Sequence, residues 1–141
     1  MRRYVENILT PAEAETLVGF NGKVPFDIGA VPNVVGEMER LGAAVTPKSY
    51  CRIEGKSDGH DWHVDTGDSN HMPWGAWSAS VLLTPPDLFE GGAFQFAGPS
   101  EEHRGHYCDA IIFTSDEQHR VLPHQGSRKV LLVFLGADNG E

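Results

Sequence analysis

The sequence predicts a mostly β domain, a sandwich or small barrel, with N-terminal helices packed on one outer face of its main sheet. Two observations carry this prediction. Up to Gly42 the chain holds two segments of helical periodicity, and beyond it short β-rich runs are separated by Gly, Pro, Asp and Ser. Helices followed by many short strands are typical of a sheet-based domain covered on one side. We expect a single domain over residues 1–141, with helical support at about 10–42 and a β core at about 44–136.

The two helices are predicted from their end signals and their apolar spacing. Residues 10–13, Thr-Pro-Ala-Glu, combine an N-cap hydroxyl, proline at the first helical position and glutamate at the third, which is a capping box. An apolar stripe follows and stops before Gly19. A second helix is predicted to begin near Pro32 and to end at Gly42, a residue that favours helix termination.

Seven strands are predicted from β-branched and aromatic runs bounded by turn residues. They are expected at 44–53, 60–64, 77–84, 93–97, 109–114, 120–122 and 128–135. The runs at 110–113 and 130–135 are apolar without alternation, which indicates that both faces of those strands are covered.

Charge and composition exclude several classes of function. The formal net charge of −9 opposes binding to phosphate backbones, so we expect no nucleic-acid partner. No apolar run approaches the roughly 20 residues that span a bilayer, and no secretory signal follows the first basic residues. We expect a cytoplasmic protein in which Cys51 and Cys108 are buried thiols.

A candidate metal site combines two histidines and one carboxylate. His63 and Asp65 are two residues apart at a predicted strand, so their side chains project to one side while Val64 turns away. His119 is the third candidate ligand, on a strand that the fold must bring alongside. Two imidazoles and one carboxylate form the facial triad that holds a non-haem Fe(II) and leaves positions open for O₂ and a co-substrate.

The other histidines leave alternative interpretations open, because a His-x-Asp triplet alone is weak evidence for a metal. His60 could pair with His63, and His103 with His106, although the latter two lie in a polar stretch typical of a solvated loop. The histidines that we expect to lie outside an iron site, in loops, turns or at the surface, are His60, His71, His103, His106 and His124.

A positive charge nine residues after His119 is the second candidate binding group. Arg128 begins an apolar run, and a guanidinium offers two parallel donors to a carboxylate while staying charged when buried. Lys129 is the rival cation and would face the opposite way in a regular strand, and Arg128 could also be an ordinary strand-edge charge.

These motifs follow one another in a fixed order: His63-x-Asp65, Gly91-Gly92, a strand at 109–113, and His119-x-Val121-x-Pro123-x-x-Gly126-x-Arg128. With this pattern the chain resembles, nearly end to end, the prolyl 4-hydroxylase-like family of Fe(II)- and 2-oxoglutarate-dependent oxygenases. The resemblance implies a double-stranded β-helix, or jelly roll, with helices on the outer face of its major sheet.

The resemblance also implies the roles of individual residues. His63, Asp65 and His119 would hold Fe(II), and Arg128 would bind the distal carboxylate of 2-oxoglutarate. Tyr50 stands where relatives often carry a tyrosine that meets the co-substrate, although an ordinary core tyrosine is the alternative. O₂ would be the second co-substrate and ascorbate an accessory reductant.

Some positions depart from the family pattern. Leu82 stands where some relatives have a tyrosine that contacts the co-substrate, Asp109 replaces a common glycine, and His124 replaces a small apolar residue. Trp74 and Trp77 lie where a substrate loop is expected, and either could stack on a flat substrate or pack in the core.

The expected activity is hydroxylation of an unactivated C–H bond, with a prolyl residue of a peptide or protein as the substrate that the resemblance implies. A free amino acid or another small metabolite is the alternative substrate. Two other classes stay open: a non-catalytic jelly-roll module that binds a peptide, and a cupin-type metal protein that needs neither 2-oxoglutarate nor Arg128.

Overall fold

The computed structural model describes residues 2–20, 28–67, 72–98, 102–103 and 105–137. Within these ranges the chain has two α-helices, α1 (Pro11–Val18) and α2 (Pro32–Arg40). The strands are β1 (Arg2–Val5), β2 (Ala43–Ala44), β3 (Tyr50–Glu54), β4 (His60–His63), β5 (Trp77–Leu82), β6 (Phe89–Gly91), β7 (Phe94–Phe96), β8 (Glu102–His103), β9 (Ala110–Thr114), β10 (His119–Val121), β11 (His124–Gly126) and β12 (Val130–Ala137).

Both helices begin and end where their sequence signals predict. The Thr10 hydroxyl accepts a hydrogen bond from the Glu13 backbone N–H at 3.2 Å, and the Glu13 carboxylate accepts one from the Thr10 N–H at 2.9 Å. This reciprocal capping box fixes the start of α1. Helix α2 ends just before Gly42, whose φ of +113° suits a residue without a side chain.

The strands form antiparallel sheets that curl into a jelly-roll-like β architecture. The large sheet has the order β1-β9-β5-β12-β2, with β3 also paired to β12. The small sheet has the order β4-β10-β7-β8, and β6 pairs with β11 in a separate two-stranded sheet. Strands β3, β12, β5 and β9 are therefore adjacent to one another in the large sheet, and β4 and β10 are adjacent in the small sheet.

Several strand predictions needed correction. The single strand predicted at 44–53 is divided into β2 and β3, because Pro47 and a turn closed by the Ser49 N–H on the Thr46 carbonyl at 3.0 Å interrupt it. Strands β1, β6, β8 and β11 were not predicted. They are short, and β1 carries charged or half-exposed side chains rather than an apolar run. Strand β4 ends at His63, one residue earlier than predicted.

The main apolar core lies between the helices and one face of the large sheet. Ala14 and Leu17 of α1 and Val34, Val35 and Met38 of α2 belong to one buried cluster. The sheet residues of that cluster alternate along their strands: Cys51, Ile53, Ala79, Val81, Ala110, Ile112, Leu131 and Val133. The intervening residues face the other side of the sheet, where the candidate site lies. No helix of the described ranges is long and apolar enough to cross a membrane.

Candidate metal centre

The three predicted metal ligands lie together. His63 is the last residue of β4 and pairs in register with His119, the first residue of β10, while Asp65 follows two residues after β4. The Asp65 Oδ1 atom is 3.4 Å from His63 Nε2 and 3.5 Å from His119 Nε2. One ligand atom from each residue lies within 4.8 Å of the other two, so a single ion can contact all three.

Backbone carbonyls orient both imidazoles. His63 Nδ1 is 2.6 Å from the Asp61 carbonyl oxygen, and His119 Nδ1 is 2.9 Å from the Glu117 carbonyl oxygen. A carbonyl only accepts, so each Nδ1 carries the proton and donates it. This leaves the lone pair of each Nε2 directed at the space beside Asp65, which is the arrangement that metal-binding histidines use.

The environment of the site favours a neutral His119 and an ionised Asp65. His119 is 3% exposed and stacks on Phe94 at 5.0 Å between ring centroids, and this burial lowers its pKa. Burial alone would raise the pKa of Asp65, but the adjoining His63 and His119 imidazoles and the Ser78 hydroxyl lower it overall. Both protonation states are those that a metal requires.

Two serines that were not predicted support Asp65. The Ser78 hydroxyl donates to Asp65 Oδ2 at 2.8 Å and lies 2.9 Å from the Ser115 hydroxyl. The Asp65 N–H also donates to the Ser115 carbonyl at 2.9 Å. Ser78 is a polar residue within β5, a strand buried along its whole length, but the sequence alone does not show that burial.

An open cleft of about 610 Å³, counting the space at its mouth, contains the metal ligands. We call it the metal cleft. Its walls come from both sheets and carry both charged and apolar residues. They include Arg52, Glu54, Lys56, His60, Ser80, Phe94, Phe113, Arg128, Val130, Leu132 and Phe134.

Arg128 lies in the wall of the metal cleft and is 8% exposed. Its Nε atom is buried and has no hydrogen-bond partner among the described residues. Burial lowers the pKa of Arg128, although the nearby Glu54 charge opposes that shift. The rival Lys129 does not line the metal cleft. A buried guanidinium with an unused donor fits a carboxylate ligand.

Gly92 makes room for the Arg128 side chain. A Cβ atom at this position would lie 2.5 Å from Arg128 Cδ and 2.7 Å from Arg128 Nε, and the φ of Gly92 is +74°. The Gly91-Gly92 pair entered the sequence prediction only as part of the motif order, so this packing role was missed.

A second cavity lies on the other side of Arg128. Arg128, Ser80, Phe94 and Val130 line both spaces, and Leu82 lines only the second one. Leu82 thus presents an aliphatic side chain to the second cavity.

His124 also lies beside Arg128. It is 6% exposed, and its Nδ1 atom is buried without a partner among the described residues. Burial and the charge of Arg128 lower its pKa, so it is neutral. It does not belong to the cluster of candidate metal ligands.

A charged group that was not predicted lies in the wall of the metal cleft. Glu54 Oε1 is 2.9 Å from His60 Nε2 and 3.2 Å from Arg52 Nη1. Burial would raise the pKa of Glu54, but the hydrogen bond from His60 and the charge of Arg52 outweigh it and lower the pKa to about 2. The carboxylate is ionised at neutral pH.

The remaining candidates lie elsewhere. The Tyr50 hydroxyl donates to Met72 Sδ at 3.3 Å, and Tyr50 does not line the metal cleft, so its contact with a co-substrate stays a prediction. Trp77 belongs to the helix-facing core, and Trp74 makes an edge contact with Tyr50 at 6.3 Å.

The cysteines and the other histidines have their own surroundings in the fold. Cys51 and Cys108 are buried free thiols, as expected. His103 stacks on Tyr4 at 4.3 Å, and His106 is 3.5 Å from Asp109. His71 lies outside the described residues.

Comparisons with known proteins agree on the fold. No protein-family profile matches the chain, and no curated sequence does. A Pseudomonas putida prolyl-4-hydroxylase superimposes with a TM-score of 0.73 at 15% identity, over 96% of this chain and 92% of that one. A collagen prolyl hydroxylase of Paramecium Bursaria Chlorella virus-1, solved with 2OG, gives 0.72 at 14%, over 96% and 95%.

A third solved structure is a Trichoplax adhaerens prolyl hydroxylase in complex with a peptide of the hypoxia inducible factor oxygen degradation domain. It superimposes with a TM-score of 0.70 at 13% identity, over 97% of this chain and 84% of that one. At these identities the likeness shows that the chain has the fold of these hydroxylases.

Proposed function

We propose that the chain is an Fe(II)- and 2-oxoglutarate-dependent dioxygenase of the prolyl 4-hydroxylase-like family, built on a double-stranded β-helix, that hydroxylates an unactivated C–H bond. The proposal rests on the residues that line the metal cleft. A two-histidine, one-carboxylate cluster and a buried guanidinium with an unused donor line the same space.

The donor set fits iron. His63, Asp65 and His119 offer two imidazole nitrogens and one carboxylate oxygen, a set typical of non-haem Fe(II) oxygenases. When bound, Fe(II) activates O₂ and couples the oxidative decarboxylation of 2-oxoglutarate to oxidation of the substrate. The carbonyl partners of both imidazoles keep their Nε2 atoms in place for this role.

Arg128 and the apolar wall serve the co-substrate. The Arg128 guanidinium would bind the distal carboxylate of 2-oxoglutarate and satisfy its own buried Nε. Phe94, Phe113 and Phe134 form apolar parts of the cleft wall, and such a wall keeps water from the reacting groups. The protein thus supplies orientation and exclusion of solvent.

A prolyl residue of a peptide or protein is the first candidate substrate. The sequence resemblance implies it, and the three similar structures described above are prolyl hydroxylases, one of them in complex with a peptide. Because unrelated substrates share this fold, the substrate requires its own test.

A free amino acid is the second candidate, and the charges of the metal cleft favour it. Arg52 and Glu54 are two residues apart on one face of β3, and both line the cleft. The hydrogen bond from His60 and the ion pair with Arg52 use the same atom, Glu54 Oε1, which leaves Oε2 for a ligand. An ammonium and a carboxylate on one small molecule would match this pair.

Succinate formation tests the proposed activity. The purified chain is incubated with Fe(II), ascorbate, O₂ and 2-oxoglutarate, together with a prolyl peptide, its N-acetylated form or free proline. We expect succinate from the wild-type chain and none from His63→Ala or Asp65→Ala. The exposed His106→Ala serves as control.

The outcome separates the competing classes. A peptide-binding module without catalysis would yield no succinate with any substrate. A metal protein that does not use 2-oxoglutarate would keep its own activity after Arg128→Ala. Undiminished turnover in His63→Ala and Asp65→Ala would reject the assignment of the metal ligands.

A further inference from the structure

We propose that Ser78, supported by Ser115, is a positioning residue that holds Asp65 as a one-oxygen ligand of the metal. This inference rests on the proposed metal binding by His63, Asp65 and His119. It concerns which oxygen of Asp65 binds the ion and what prevents the other oxygen from doing so.

The two oxygens of Asp65 have different surroundings. Oδ1 is 3.4 Å from His63 Nε2 and 3.5 Å from His119 Nε2, so it faces the point where the three ligands converge. Oδ2 accepts the Ser78 hydroxyl at 2.8 Å. A rotation of the carboxylate that brought Oδ2 to the metal would break this hydrogen bond.

The direction of the hydrogen-bond chain follows from the number of protons available. An ionised carboxylate only accepts, so Ser78 uses its one hydroxyl proton on Asp65 Oδ2. At 2.9 Å from Ser115 Oγ, Ser78 must then accept from Ser115. The proton order is therefore Ser115 to Ser78 to Asp65. Both serines are 1% exposed, so solvent cannot readily replace either hydroxyl.

The serines tie a ligand next to the small sheet to the large sheet. Ser78 lies in β5, and Ser115 directly follows β9, its neighbour in the large sheet. Ser115 also accepts the Asp65 N–H with its carbonyl oxygen and donates its own N–H to the Ala76 carbonyl, both at 2.9 Å. The backbone and the side chain of Asp65 are thus held by the same pair of strands.

One-oxygen binding by Asp65 matters for the proposed chemistry. A two-histidine, one-carboxylate site functions because it leaves positions open for O₂ and a co-substrate. A second oxygen from Asp65 would occupy one of these positions. We expect loss of Ser78 to weaken metal binding, because Asp65 is no longer held in position, and to weaken the subsequent binding of 2-oxoglutarate, because the released Oδ2 can take one of these positions.

The experiment compares Ser78→Ala, Ser78→Thr and wild type as purified metal-free chains. Co(II) is titrated by its absorption, and 2-oxoglutarate is then titrated into each Co(II)-loaded protein. We expect Ser78→Ala to raise the dissociation constant for Co(II) by about 10- to 100-fold, the usual effect of losing a partner of a metal ligand. Ser78→Thr retains a hydroxyl and should restore most of the affinity.

Thr84→Val is the matched control for a general loss of packing or stability. Thr84 is 5% exposed, and its hydroxyl accepts the Lys129 N–H at 3.2 Å, but it does not line the metal cleft. The control should lose some thermal stability and keep the wild-type affinity for Co(II).

Each outcome has one interpretation. Equal Co(II) affinity and equal 2-oxoglutarate affinity in Ser78→Ala and wild type would overturn the positioning role while leaving the proposed function in place. A wild-type chain that binds no Co(II) would instead reject the proposed function, on which the positioning role depends.

Discussion

The two ends of the metal cleft are built differently. At the metal end the ligands already have partners for their remaining polar atoms: carbonyls for both Nδ1 atoms and a serine for Asp65 Oδ2. At the other end Arg128 is buried with an Nε atom that has no partner among the described residues. The metal end is oriented by the protein alone, whereas the Arg128 end needs a ligand to satisfy its charge.

This difference implies a division of energetic roles. The hydrogen bonds at the metal end orient the ligands when the chain folds, so binding an ion requires little rearrangement. Arg128 instead keeps a desolvated charge that destabilises the unliganded chain and is compensated when an anion binds. Substitutions at the two ends should therefore differ in sign as well as in size.

The largest effect is expected at the metal end. Asp65→Ala removes the one carboxylate of the cluster, and we expect metal affinity to fall by more than about 100-fold, beyond the loss typical of an outer partner. Metal titration of the purified variant measures this loss. Asp58→Asn, an exposed acid before β4, should bind as wild type does. Comparable binding by Asp65→Ala and wild type would contradict the account.

Arg128→Met should give the next largest effect and separate the two ends. We expect 2-oxoglutarate affinity to fall by about 2–5 kcal/mol, the cost of truncating one member of a buried charge pair, while metal affinity stays unchanged. Without 2-oxoglutarate the variant should melt at the same temperature as wild type or higher, because a buried guanidinium whose Nε has no partner among the described residues is removed. A large loss of stability in the unliganded variant would show that Arg128 is already paired.

Gly92→Ala tests the packing at the Arg128 end. The new Cβ would meet Arg128 Cδ and Nε, so we expect 2-oxoglutarate affinity to fall by about tenfold, in addition to the backbone strain of roughly 1–2 kcal/mol that any side chain at this positive φ causes. Gly98→Ala is the matched control, since Gly98 has a φ of +97° and nothing within 4 Å of an added Cβ. Equal 2-oxoglutarate affinities in the two variants would reject the packing role.

The smallest effect on stability is expected at Glu54, where the readout is unfolding against pH. The folded pKa of about 2 lies below the ordinary value of 4.5. Its stabilisation is therefore present above pH 4.5 and lost as the pH falls from 4.5 towards 2. At roughly 1.4 kcal/mol per pKa unit it amounts to at most about 3–4 kcal/mol, and screening by solvent reduces this further. Thermal unfolding across this range should show a steeper loss in wild type than in Glu54→Gln.

The sequence predicts the metal end better than it predicts its supports. His63, Asp65 and His119 carry chemistry in their residue types, and a short spacing places two of them side by side. Ser78 and Ser115 are common residues whose meeting depends on the pairing of β5 with β9. Only the register of that long-range pair places both serines beside Asp65, and local patterns do not encode it.

The same limit explains the other differences. Arg128 follows from its position after His119, but the fit of its side chain over Gly92 depends on the approach of two separate segments. Both helices were predictable because their end signals are local: a capping box begins α1, and a proline occupies the first turn of α2. Strand β1 was not, since an edge strand with exposed charged residues lacks an apolar pattern.

The most direct test of the account is a crystal structure of the chain with 2-oxoglutarate and a redox-inert divalent metal. We expect one ion bound by His63 Nε2, His119 Nε2 and Asp65 Oδ1, with the distal carboxylate of 2-oxoglutarate on Arg128. An ion bound elsewhere, or 2-oxoglutarate that leaves Arg128 without a carboxylate partner, would contradict it.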